Sequence, residues 1–211
     1  WGQVSHLHSV LDSPELREVY NANLPKITQY YAELGQHEGL FKQYKALAAA
    51  PGFADLTPAR KKIIDNELRD FRLGGADLPD DQKPRFMAIQ EELASLSAKF
   101  EENLLDATRA WSKLITDEAE LAGVPDDAMA MFREMAEADD ALANTPGWKL
   151  NLQAPSFMPI VQYCDNRALR EEMYRAYTTR ASEFGPAELD NTPLISRILE
   201  QIGRASCRVR V

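Results

Sequence analysis

Apolar residues recur along this chain at spacings of three and four, and only two short runs alternate in steps of two. Phe86, Ile89, Leu93, Leu96, Phe100, Leu104, Ala107 and Trp111 draw one nearly straight stripe. That stripe predicts a long helix beginning near Asp80 or Pro84, and Ala107 and the short length favour a packed core helix over a coiled coil. Leu169, Met173, Ala176 and Tyr177 fall at i, i+4, i+7 and i+8, with Asn166 placed to cap and Glu171 four residues before Arg175. Residues 163–182 therefore read as an amphipathic helix. Strand-like alternation is confined to residues 111–116 (WSKLIT) and 147–152 (GWKLNL), and these two runs are expected to pair.

Start and stop signals divide the rest. Ser13-Pro14, Thr57-Pro58 and Thr192-Pro193 each put a hydroxyl at an N-cap and a proline at the first helical position, where its missing N–H costs nothing. Helices are expected over residues 14–34, ending at Gly35, over 40–49, stopped by Pro51-Gly52, and over 57–73, closed by Gly74-Gly75. Pro155 and Pro159 are expected to bracket a short connection into the 163–182 helix, and Phe184-Gly185-Pro186 to end that helix. The expected fold class is mainly α with one small β pairing. No repeat, low-complexity tract or Ser/Gly linker interrupts residues 1–201, so one domain is the economical reading.

Composition narrows the function classes. The chain has 211 residues, 45% hydrophobic and 27% charged, enough to bury roughly 70% of its unfolded surface and too apolar for wholesale disorder. Residues 202–211 (IGRASCRVRV) break the preceding helical pattern and resemble the read-through of a sequencing adapter, so they are set aside as non-native. Removing Arg204, Arg208 and Arg210 takes the formal charge from -9 to -12. Such acidity argues against a nucleic-acid partner. No apolar run approaches a membrane span, and no signal-like segment opens the chain, so no membrane partner and a cytoplasmic setting are expected. Residues 117–140 hold nine carboxylates against Arg133 alone, which reads as a solvated face, with a cation or basic-peptide site as the alternative.

Catalytic constellations are scarce. His6 and His8 lie two apart, a spacing that does not present two ligands to one metal on a helix or a strand. His37-Glu38-Gly39-Leu40-Phe41 begins like the H-E-x-x-H zinc motif, whose histidines sit one helical turn apart, but Phe41 stands where the second histidine belongs. It reads as an interhelix turn. Cys164 has no nearby histidine in sequence and reads as a small buried hydrophobe, while Cys207 lies in the excluded tail. No P-loop, G-x-S-x-G, G-x-G-x-x-G or paired CxxC is present. No catalytic or metal-binding residue is assigned, and none is assigned to substrate.

Five blocks in order carry a resemblance: HLHSVLDSPELREVY (6–20), GQHEGLFKQY (35–44), KKIIDNELRDF (61–71), LLDATRAWSKLITDEAELAGVP (104–125) and YCDNRALREEMYRAYTTRAS (163–182). Together they resemble the thimet oligopeptidase family of zinc peptidases, over residues 4–201. The resemblance implies a helical, neurolysin-like amino-terminal lobe of a longer cytoplasmic metalloendopeptidase, which hydrolyses short peptides inside a channel and serves intracellular peptide and signal-peptide degradation. It also implies that the zinc motif H-E-F-G-H, the remaining ligand and the groups that steady the transition state belong to a missing carboxy-terminal lobe, leaving this chain inactive alone. A free-standing, non-catalytic helical module that binds peptides or a protein is the alternative.

Overall fold

The computed structural model describes residues 1–142 and 145–208. The chain divides into two compact units, Trp1–Lys99 with the segment from Leu194 on, and Phe100–Pro193.

In the first unit α1 (Gly2–Val10), which the sequence reading did not identify, turns into α2 (Pro14–Gly35) at Asp12. Asp12 has φ 38°, a left-handed conformation that Asp tolerates better than most residues. Its buried carboxylate accepts Arg17 Nε at 3.1 Å. Ser13 caps α2, accepting Leu16 N–H at 3.2 Å, and Thr57 caps α4 (Pro58–Leu73), accepting Arg60 N–H at 3.4 Å. Both caps are as expected. Between them α3 (Glu38–Ala49) sets Phe41 against Phe71 with ring centroids 5.6 Å apart, and Tyr44 and Leu68 close over the pair.

The predicted long helix is α5 (Lys83–Ala110). Its first turns bury Phe86 and Ile89 in this unit. In α9 (Thr192–Arg208), Arg197 and Gln201 lie one turn apart and both reach Glu92 of α5, each at 2.5 Å. Thr192 is the first helical residue rather than the cap expected of it. Asn191 precedes it, and Asp190 Oδ1 accepts the Thr192 N–H at 2.9 Å. The helix also runs on through Ile202–Arg208, where the pattern was expected to break. Exposure explains the difference: Ile202 is 46% exposed and nothing lies within 4 Å of where a Cβ on Gly203 would be, so helix at these two positions does not depend on an apolar pattern.

In the second unit β1 (Ser112–Ile115) pairs antiparallel with β2 (Trp148–Asn151), Ser112 facing Asn151 and Ile115 facing Trp148. This is the expected ladder, and it packs under α6 (Asp126–Glu137), α7 (Ala154–Tyr163) and α8 (Arg167–Thr178). Phe132, Leu150, Ile160 and Met173 meet in its core, each fully buried. Gly147 has no alternative: a Cβ there would sit 2.5 Å from the Ile115 carbonyl oxygen.

Two expectations fail here. Pro155 and Pro159 do not bracket a connection but lie inside α7. Pro155 occupies the first turn, where no N–H is needed, and burial of Phe157 and Ile160 outweighs the one bond lost at Pro159. Residues 163–182 are not one helix either. Asp165 N–H donates to the Ala122 carbonyl at 2.7 Å, drawing the chain out of helix, and α8 starts afresh where Asn166 accepts the Leu169 N–H at 3.2 Å.

Phe132→Ala should destabilise the second unit by about 3–5 kcal/mol, whereas Phe184→Ala, at a side chain 77% exposed, should change stability by less than about 0.5 kcal/mol in urea unfolding. A chain ending at Gln201 should melt within about a degree of the full chain, because Ile202 is 46% exposed and the space around Gly203 is open.

Candidate functional site

Each histidine that could have served chemistry has a local task instead, or stands in solvent. His8 is buried, with its ring stacked on Tyr20 at 4.0 Å and 6° and its Nε2 3.5 Å from Asp12 Oδ1. His6 is exposed on the same helix. His37 is the N-cap of α3, its Nδ1 accepting the Leu40 N–H at 3.1 Å. Glu38 forms an ion pair with Lys83, and Phe41 is buried in the core of the first unit. The near-motif is thus a cap, a surface ion pair and a core residue. Among the described residues no three His, Cys, Asp or Glu side chains converge on a point that could hold a metal ion. The donor set of these residues does not fit zinc.

Cys164 lies in the core of the second unit, its thiol 3.3 Å from the Glu120 carbonyl oxygen. Burial pushes the thiol up from its ordinary range, against smaller opposing effects from the Asn166 N–H and the Arg170 charge. A thiol held neutral in an apolar core is a poor nucleophile. The structure therefore agrees with a core role.

Seven of the nine carboxylates in the acidic run fall into two groups. Asp117 accepts the Ala119 N–H at 3.0 Å, Asp127 accepts the Ala128 N–H at 2.9 Å, and Asp139 pairs with Lys149 at 2.6 Å. Lys149, and then the Ala141 N–H, hold the Asp139 carboxyl below the usual carboxylate range. Glu118, Asp126, Glu134 and Glu137 instead surround Trp148. Two adjoining concavities open there, one of about 590 Å³ that includes Thr116, Leu142 and Pro146, the other of about 380 Å³ that includes Met129 and Ala130. Arg133, Glu137 and Trp148 border both. The Arg133 guanidinium lies over the indole, 5.0 Å from the ring centroid, a favourable cation–aromatic distance. Sequence reasoning noticed Arg133 as the lone cation of its segment but did not connect it with Trp148. The usable signal was Met129, Arg133 and Glu137 at i, i+4 and i+8 of one helix face, preceding a strand whose alternate residues are buried.

The sequence has counterparts among known proteins. The family model for the neurolysin/thimet oligopeptidase N-terminal domain matches residues 1–83. Over 198 residues, 93% of this chain, the sequence is 48% identical to oligopeptidase A of Salmonella typhimurium, of which it covers 28%. It is 40% identical over 203 residues to a probable cytosolic oligopeptidase A of Arabidopsis thaliana, with 95% of this chain and 28% of that one aligned. A dipeptidyl carboxypeptidase of Salmonella typhimurium is 25% identical over 193 residues, 92% of this chain and 27% of that one. Fold and alignment define a helical amino-terminal peptidase lobe. The chain belongs to the thimet oligopeptidase family, with a likeness to oligopeptidase A that runs nearly its whole length. It spans a little over a quarter of the length of these relatives.

The buried thiol generates a prediction with a definite sign. Because the folded state holds Cys164 neutral, its contribution to stability should be complete below the ordinary thiol range and should fall as pH rises through it. In a Cys207→Ser background, the native protein at pH 8 should resist a thiol-specific disulfide reagent that labels the urea-unfolded chain at once. Rapid labelling of the folded protein would contradict the core role.

Proposed function

We propose that this chain acts as the amino-terminal part of a zinc-dependent oligopeptidase that hydrolyses short peptides in the cytoplasm. The 48% identity to oligopeptidase A across 93% of the chain carries this reading. Zinc would be held by residues outside the chain, because His8, His37 and Cys164 are committed to packing and capping. The cytoplasmic setting draws on the likeness to the probable cytosolic oligopeptidase A of Arabidopsis thaliana. Among the described residues no helix is long and apolar enough to cross a membrane. The part played by these residues is to shape and wall the space in which peptides are held.

An apolar stripe on α9 supports a further partner, the carboxy-terminal lobe. Ile195 and Leu199, one turn apart, are 46% and 63% exposed, and Leu194 and Ile198 beside them are half-buried. Exposed apolar surface with helical periodicity marks an interface when a partner exists to cover it.

The test is a chimera in which this chain replaces the 198 matched residues of the Salmonella enzyme. It should fold, load zinc and cleave a quenched short peptide. A folded, zinc-loaded chimera that cleaves nothing, together with a free chain that binds peptides, would favour the non-catalytic module. Leu199→Asp should shift the stability of the isolated chain by less than about 0.5 kcal/mol, since the side chain is already solvated. In the chimera the same change should lower the melting temperature by several degrees, and an unchanged melt would remove α9 from the interface.

A further inference from the structure

We propose that the paired concavities at Trp148 form a docking site for an extended peptide segment carrying arginine or lysine side chains. The proposal rests on shape and charge within residues 100–193 alone, and stands or falls independently of the zinc peptidase reading.

The concavities differ from an ordinary acidic surface in three respects. First, they have an apolar, aromatic floor. Trp148 is 7% exposed, anchored in the core beside Leu150, yet its remaining surface borders both hollows, with Met129 on one side and Leu142 and Pro146 on the other. Second, the rim carboxylates are uncommitted. Among the described residues, Glu118, Asp126, Glu134 and Glu137 form no ion pair or side-chain hydrogen bond, in contrast with Asp139 on Lys149 and Asp117 at its turn. Third, the site already holds the group it would recognise. The Arg133 guanidinium rests on the Trp148 face between the two hollows, showing that this indole accepts a cation.

Four carboxylates against one guanidinium leave a formal excess of three negative charges at the rim. An arginine or lysine side chain from a second chain can lay its aliphatic stem along Met129 or Leu142 while its head reaches a glutamate. The charged head then gains a charge-assisted hydrogen bond without a buried charge being left unpaired. An anionic ligand, such as a free peptide carboxylate on Arg133, would have to overcome the same excess. Arg133 itself competes for the seat, so removing it should strengthen binding of a basic segment.

Titration of the full chain with a labelled, end-blocked hexapeptide of alternating alanine and arginine, read by fluorescence anisotropy, tests this. Binding should saturate and weaken with salt. The Glu134→Gln, Glu137→Gln double variant should weaken it about tenfold, the scale of two partly solvated charge contacts. Arg133→Ala should tighten it severalfold. Asp65→Asn with Asp81→Asn, which removes two exposed carboxylates from the other unit, should leave it unchanged. Absence of saturable binding would overturn the proposal. So would equal loss in the Asp65, Asp81 variant, which would mean diffuse attraction to an acidic protein. Weaker binding in Arg133→Ala, together with preference for a hexapeptide of alternating alanine and glutamate, would show an anion site instead.

Discussion

Burial of Phe132 between α6 and the β1–β2 ladder is the interaction on which the second unit depends. Leu150 of β2, Ile160 of α7 and Met173 of α8 share its core cluster, so this buried centre unites four elements within residues 126–178. Strand geometry then fixes the side that Trp148 faces. With Leu150 inward, Trp148, two residues earlier, must point the same way, and it emerges at the edge of the core. Helix geometry places Arg133 about 100° round from Phe132, at the same edge. The guanidinium and the indole therefore meet because the core demands it. Gly147 completes the constraint by letting the strand start within contact of the Ile115 carbonyl.

The first unit is held by polar and aromatic contacts of mixed range. Asp12 turns α1 into α2 with a left-handed backbone and binds Arg17, while His8 fills the corner against Tyr20. Arg197 and Gln201 grip Glu92 from successive turns of α9. The Asp12 turn and the His8 stack are local, whereas the Glu92 contacts join residues 105 and 109 apart in sequence. A buried histidine stacked on tyrosine and a histidine spent on an N-cap are structural parts.

Signals that act within one turn were legible in the sequence. Ser13, Thr57 and Asn166 cap where their side chains predict, and alternation in 111–116 and 147–152 locates the ladder, because each depends on neighbours a few residues away. Features fixed by distant partners were not. The break at 164–166 comes from a hydrogen bond to Ala122, and helix through Pro155 and Pro159 comes from burying Phe157 and Ile160. The Trp148–Arg133 contact joins residues brought together only when α6 docks on β2. The family likeness was legible for a different reason: it lies in five stretches of sequence rather than in any visible catalytic pattern.

The central claim is that this member of a peptidase family is scaffold: among its described residues no three His, Cys, Asp or Glu side chains converge on a point that could hold a metal ion. Equilibrium dialysis of the isolated chain against micromolar zinc, with the bound metal counted by mass spectrometry after a chelator wash, bears on it most directly. The account predicts no retained zinc, with no change when His8 or His37 is replaced. One zinc per chain that survives the wash and is lost in His37→Ala would contradict it.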